Sequence, residues 1–181
     1  MKVFVCGSAN QKINPKYLKG IDKIAEFLAS NNIGLICVAS NFGAIGEVYR
    51  QYEKHDGHID LIQPKAYAHE TVDMKGDTLI KVDNLYELQQ IATRNSEVTL
   101  VLPGGNGTLA ELYMITDSIK SKFDTDPVII YNVGGFYDRV KEMNDFFMEA
   151  NVLEQFQYDY FNFCNTPEEV IKALKKSLNL K

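Results

Sequence analysis

A doubly wound α/β domain, with a mainly parallel sheet flanked by helices on both faces, is the fold this sequence predicts. Short runs rich in β-branched and other apolar residues recur along the whole chain. Each run is followed by small residues, and each such loop opens a stretch with helical periodicity. Strands alternating with helices in this way form a parallel sheet covered on both sides. No internal repeat and no linker rich in proline, glycine or serine breaks the series, so residues 1–181 read as a single domain.

The elements follow in order. Lys2–Cys6 is a strand leading into Gly7-Ser8-Ala9-Asn10. A helix comes next, with Tyr17, Ile21, Ile24, Ala25 and Leu28 on one face, capped by Asn14 before Pro15 and ended by Asn31-Asn32. Ile33–Val38 restarts a strand, Ala39-Ser40-Asn41-Phe42-Gly43 turns, and a second helix begins near Ala44. His58–Ile62 is the third strand, stopped by Pro64. From Lys65 to about Lys75 the chain is polar and aperiodic, which predicts a loop. Thr78–Val82 is a short strand and Asn84–Asn95 a helix. Val98–Leu102 is the most strand-like run, followed by Pro103-Gly104-Gly105-Asn106-Gly107-Thr108 and a helix from Leu109 to about Lys120. Asp124 and Asp126 mark a turn before the strand Pro127–Tyr131. A helix over Tyr137–Ala150 and a last strand within Tyr158–Phe163 precede the closing helix, which Thr166 caps, Pro167 opens and Glu168 and Glu169 favour by their charge.

Composition narrows the function classes. With 45% hydrophobic and 24% charged residues, the chain can fill a core without disulfides or a structural metal. Three cysteines cannot all pair, which suits a reducing cytoplasm. A net charge of −5 with no basic stretch argues against polymeric nucleic acid as a partner. No run approaches a membrane span, so no membrane partner is expected. His55, His58 and His69 lack metal-ligand spacing, and neither a metal nor another cofactor is implied.

In a doubly wound sheet, ligands bind beyond the carboxyl ends of the strands. The loops Gly7–Asn10, Ser40–Gly43 and Pro103–Thr108 fall there. In the third, glycines allow close backbone approach, and Thr108 stands at a helix entrance where free N–H groups favour an anion. It is not a Walker loop, because no Lys-Ser or Lys-Thr pair follows the glycines, and Gly7-Ser8-Ala9 lacks the dinucleotide fingerprint. Glu111 then falls in the first helical turn. A carboxylate beside a bound phosphate is unfavourable unless the ligand separates them, as a nucleoside monophosphate does by laying its ribose over the acid.

Pro103-Gly104-Gly105-Asn106-Gly107-Thr108-Leu109-Ala110-Glu111 resembles the PGGxGTxxE motif of the Lonely Guy family, cytokinin riboside 5′-monophosphate phosphoribohydrolases often mislabelled lysine decarboxylases. The resemblance covers nearly the whole chain. Cys6-Gly7-Ser8 resembles the family's CGS, Asn14–Tyr17 its next helix start, Gly43-Ala44-Ile45-Gly46 its GLMG, and Asn132–Tyr137 its NxxGYY segment, while Ala39-Ser40-Asn41 replaces most of a glycine run. It implies a Rossmann-like fold, a homodimer or higher assembly, and cleavage of a nucleoside 5′-monophosphate into free base and ribose 5-phosphate. By the same resemblance, Gly7, Ser8, Ser40, Gly43 and Pro103–Thr108 are the nucleotide-binding residues. Glu111 is the catalytic one, binding the ribose hydroxyls and stabilising an oxocarbenium-like sugar or orienting water.

One segment departs from the family. Its MHxRK-like stretch is Leu85-Tyr86-Glu87-Leu88-Gln89 here, so Leu88 replaces the arginine that pairs with the glutamate, and Gln89 replaces the lysine. Leu85, Leu88, Ile91 and Ala92 have the spacing of a buried helix face. Arg94 is the nearest possible substitute cation, but its place about two turns beyond Glu87 favours a structural contact, and Lys81 and Arg50 are further candidates. Asp117-Ser118 stands where the family has Thr-Trp, which speaks against a cytokinin-like base. Two readings remain open: a phosphoribohydrolase acting on nucleoside monophosphates or related N-glycosides, and a nucleotide-binding sensor or carrier that kept the cradle without the catalysis. Nothing resembles a pyridoxal-phosphate lysine site.

Overall fold

Alternation along the first strand sets the architecture: Val3 and Val5 point to one face of the sheet, Phe4 and Cys6 to the other. The computed structural model describes residues 1–70, 74–118 and 127–180. In it, β1 (Lys2–Cys6), β2 (Gly34–Val38), β3 (Ile59–Pro64), β4 (Thr78–Val82), β5 (Val98–Val101), β6 (Val128–Tyr131) and β7 (Phe161–Cys164) form one parallel sheet in the order β4-β3-β2-β1-β5-β6-β7. The chain winds outward from β1 to β4 and then returns to lay β5 against β1, with Val3 opposite Val98 and Cys6 opposite Val101. The strand order therefore reverses between β1 and β5. The crevice beyond their carboxyl ends is the topological switch point.

Helices α1 (Ile21–Ser30), α2 (Gly43–Glu53) and α7 (Pro167–Ser177) bury Ile24, Leu28, Val48, Tyr52, Val170 and Leu174 against the Val3 face. The Phe4 face is covered by α3 (Leu85–Arg94), α4 (Asn106–Ser118) and α5 (Asp138–Glu149), through Leu88, Ala92, Leu112, Ile115 and Val140. A short helix, α6 (Gln155–Tyr158), precedes β7. Since both faces are covered, the central strands carry continuous apolar runs.

Several boundaries differ from the sequence expectation, each for a local reason. The helix expected from Pro15 onward is split. Asn14 caps only a 3₁₀ turn over Pro15–Tyr17, and α1 starts afresh after Gly20. Gly20 has φ +81, and a Cβ on it would meet Pro167 Cγ at 2.2 Å, so the chain must turn there beneath the start of α7. β3 starts at Ile59 rather than His58 and takes in Pro64 as its last residue, paired with Val82 of β4. Lys65–Glu70, expected as loop, forms a 3₁₀ helix, while residues 71–73 lie outside the described residues. The turn at Asp124 and Asp126 and the helix end near Lys120 also lie outside them. Part of the expected final strand, Tyr158, closes α6 instead, and β7 begins at Phe161. The largest shift is in α4. It begins at Asn106 rather than Leu109, drawing Gly107 and Thr108 into its first turn and leaving Glu111 in the second.

Candidate active site

Three loops meet at the switch point, and steric need separates their glycines. Ser8 donates its N–H to Pro103 O at 3.0 Å, tying the β1 loop to the β5 loop. Ser8 O accepts from Ile45 N–H at 3.2 Å, tying it to the start of α2. Gly43 and Gly104 make these approaches possible. A Cβ on Gly43, whose φ is +64, would sit 2.1 Å from Ser8 O. A Cβ on Gly104 would sit 2.1 Å from Thr108 Oγ1 and 2.9 Å from Ser8 N. Gly105 and Gly107 are different: a Cβ on either would meet nothing within 4 Å, and neither has a left-handed φ. Glycine in a helix is unfavourable by about 0.5–1 kcal/mol relative to alanine. Neither packing nor backbone conformation explains glycine at 105 and 107. Open space in front of a bare backbone does.

That backbone is the start of α4. Leu109 donates its N–H to Gly105 O at 2.9 Å, the first such bond of the helix. The N–H groups of Asn106, Gly107 and Thr108 precede it and have no helical acceptor. Together with the helix dipole they favour an anion.

Gly105, Gly107, Thr108 and Glu111 open onto a cavity of about 390 Å³, which Gly7, Ser8 and Ser40 also line. This volume is that of a small-molecule site. Of the other residues singled out in the sequence, Gly43 and Gly104 hold the loops together, Pro103 supplies the carbonyl that Ser8 binds, and Asn106 is the exposed first residue of α4. The far side is apolar, with Leu85, Leu88, Tyr86, Tyr67 and Met114. Met114 and Ala110 were missed in the sequence although they share with Gly107 and Glu111 the three- and four-residue spacing of one face of α4. Tyr67 carried no such signal, because it lies in the 3₁₀ turn that reads as an aperiodic loop.

Leu88 lies where the resemblance would place an arginine, 1% exposed at the cavity wall, and α3 supplies no replacement. Arg94, the nearest candidate cation, is exposed at the last turn of α3 and does not line the cavity. Lys81 is exposed on β4, and Arg50 is bound to Glu47 and to Asn41 O. Gln89, in the family's lysine position, is buried with both amide atoms unpaired among the described residues.

The result is a carboxyl without a cation. Among the described residues, Glu111 is the one charged side chain lining the cavity, and burial pushes its carboxyl up to about 7. Two neighbours are shifted in the same direction. The wholly buried Cys6 thiol is raised well above its ordinary value, by burial first and then by Glu111. The Tyr137 hydroxyl, which donates to Leu102 O at 2.7 Å, is raised by burial, then by Cys6 and Glu111. A thiol held in that form is a poor nucleophile. Among the described residues, Glu111 is therefore the titratable group of the site suited to proton transfer near neutrality.

Known proteins place this arrangement in a family. A family model described as "possible lysine decarboxylase" matches residues 44–174, more than half of the chain. The chain is 24% identical over 173 residues to cytokinin riboside 5′-monophosphate phosphoribohydrolase LOG5 of Arabidopsis thaliana, covering 94% of this chain and 75% of that protein. It is 26% identical over 176 residues to the LOG3 enzyme of the same plant, covering 94% and 80%. Among solved structures it resembles the molybdenum cofactor binding protein of Rippkaea orientalis, with a TM-score of 0.70, 20% identity, and 98% and 95% of the two chains covered. The molybdenum cofactor carrier protein of Chlamydomonas reinhardtii gives a TM-score of 0.70 at 16% identity, covering 98% of both chains. At such identities the structures establish a shared fold. By the extent of the family match and the persistence of its glycine-rich motif, the chain belongs to the "possible lysine decarboxylase" family, the Lonely Guy family, as a divergent member.

Proposed function

We propose that this protein is a nucleoside 5′-monophosphate phosphoribohydrolase-like N-glycosidase. The observation that carries this reading is the opening of one cavity onto both the first turn of α4 and the Glu111 carboxyl. The 5′-phosphate sits on the free N–H groups, the pentose lies over Glu111, and the base meets the apolar wall of Leu85, Tyr86 and Leu88. The C1′–N bond breaks with its electron pair going to the base. The oxygen of water bonds to C1′, one water proton passes by way of Glu111 to the departing base, and the other stays on the new hydroxyl. With its carboxyl near 7, Glu111 exists in both protonation states at neutral pH, as this relay needs. The carboxylate form also stabilises the positive charge that develops on the sugar. The curated relatives named as phosphoribohydrolases support the same chemistry.

One observation favours a second reading, a nucleotide-binding sensor or carrier. Leu88 cannot hydrogen-bond to a ligand or offset transition-state charge, yet it occupies the wall nearest where the family's cation is expected. The fold is compatible with that role, since similar structures bear the names of cofactor-binding and carrier proteins. A panel of ribo- and deoxyribonucleoside monophosphates, with free base followed by chromatography, separates the two. Base release that disappears in Glu111→Gln supports the hydrolase. Tight binding without turnover across the panel retires it in favour of the carrier. Leu88→Arg sharpens the result: if the missing cation alone limits turnover, the variant releases base roughly tenfold faster or better.

A further inference from the structure

Behind the glycine loop lies a second hollow of about 180 Å³. Ser8, Asn10 and Gly105 line both it and the main cavity, so the two meet at the loop. Its remaining wall includes Lys12 and Phe136. Phe136 is held by edge-on contacts with Tyr17 and Tyr137, its ring centre 4.8 Å from each. The loop bearing Lys12 is equally fixed. Asn10 N–H donates to Ser8 Oγ at 3.0 Å, Lys12 N–H to Asn10 Oδ1 at 2.8 Å, and Ile13 N–H to Asn10 O at 3.2 Å. The backbone of Lys12 is thus set beside the start of α4, while its ammonium has no ion-pair or hydrogen-bond partner among the described residues.

Charge makes this placement consequential. A phosphate monoester in the main cavity brings up to two negative charges toward Glu111, and no basic side chain among the described residues lines that cavity. Backbone N–H groups supply only a fractional positive charge. Lys12 is the one basic residue that lines either hollow among the described residues.

We propose that Lys12 is a specificity-determining residue that holds the phosphoryl group of the ligand from the smaller hollow, on the opposite side of Gly105 from Glu111. The inference rests on the cavity being a site for a phosphorylated ligand and names the residue that makes the phosphate necessary. Cation and carboxyl then stand at opposite ends of the ligand's sugar phosphate, with the pentose between them. This supplies the charge balance that Leu88 cannot give. An unphosphorylated nucleoside has nothing for Lys12 to hold, so the site discriminates against it.

The test is calorimetric titration at low ionic strength, using adenosine 5′-monophosphate, adenosine and orthophosphate as probes for the wild type and for Lys12→Ala, Lys12→Glu and Lys12→Arg. Lys12 is exposed, so the variants are expected to fold, and thermal unfolding checks this. In Lys12→Ala, affinity for the monophosphate and for orthophosphate should fall roughly five- to tenfold, with the adenosine affinity unchanged. Lys12→Glu should lose more, and Lys12→Arg should retain most of the binding. Unchanged phosphate affinity in Lys12→Ala overturns the inference and leaves the hydrolase reading intact. Lys12-dependent orthophosphate binding without base release from any monophosphate sustains the inference while the hydrolase reading fails. A wild type that binds neither phosphate compound at millimolar concentration overturns both.

Discussion

At the amino ends of β1, β3 and β4, Lys2 pairs with Asp60, and His58 lies against both Asp60 and Asp77. At the carboxyl ends of β1 and β5, Glu111 stands with no cation lining its cavity among the described residues. Asp60 has a side chain only 8% exposed, yet its carboxyl lies below the ordinary range. Burial alone would raise it, but hydrogen bonds from Lys2 and Thr78 and the nearby charges of Lys2 and His58 outweigh burial. Glu111 lies deeper and has no such compensation, and its carboxyl moves the other way. One end of the sheet uses charge to hold strands together. The other holds a buried carboxyl with no compensating cation among the described residues, the pattern expected of a functional group.

The largest effect that tests this contrast is on turnover. Glu111→Gln should lower base release by about 10²-fold or more, measured under single-turnover conditions. The same substitution should stabilise the protein. Because the folded-state value of Glu111 is raised from 4.5 to about 7, the folded chain holds the proton over a range where the unfolded chain has lost it. Wild-type stability therefore falls as pH rises from near 4.5 through about 7, then levels off. Glu111→Gln removes that loss, so it should be more stable by up to about 3 kcal/mol at pH near 8 and about equal at pH near 4, read from urea unfolding.

Asp60→Asn should behave in the opposite sense. A lowered folded-state value contributes stability that is present above the unfolded value and disappears as pH falls through the folded one. The variant should lose about 1–2 kcal/mol at neutral pH and little in strong acid. If both variants shift stability in the same direction at pH near 8, the contrast between the two ends is wrong.

How much of this was legible in the sequence depends on whether the signal was local. β1 and β4 have the predicted bounds because their apolar runs end at residues that cannot continue them. The Thr166 cap was readable because its hydroxyl accepts from Glu169 N–H, three residues along. The 3₁₀ turn at Pro15 kept its expected cap, but its separation from α1 was hidden, since the cause is Gly20 meeting Pro167 from the far end of the chain. At the site, the glycine loop and Glu111 stood out as composition. The start of α4 did not, because Gly107 in a first helical turn contradicts propensity. The loss of the family's cation was equally visible in Leu88. That Arg94 would not replace it could be settled only by seeing α3 turn that side chain to the surface.

The subtlest test comes from the glycine loop, where Gly104 and Gly107 should respond in opposite ways. Gly104→Ala forces a methyl group against Thr108 and Ser8 and should cost about 1–3 kcal/mol of stability. Gly107→Ala places the same group in open space within a helix and should add about 0.5 kcal/mol. If the space before Gly107 belongs to a ligand, that stabilised variant must bind adenosine 5′-monophosphate more weakly than the wild type does. Thermal unfolding and calorimetry on one preparation read both quantities. A glycine kept for folding alone would show no such opposition, because removing it would not raise stability at the expense of binding. If Gly107→Ala is stabilised and binds as well as the wild type, the ligand does not approach the first turn of α4. The phosphate must then be sought on the Lys12 side of Gly105.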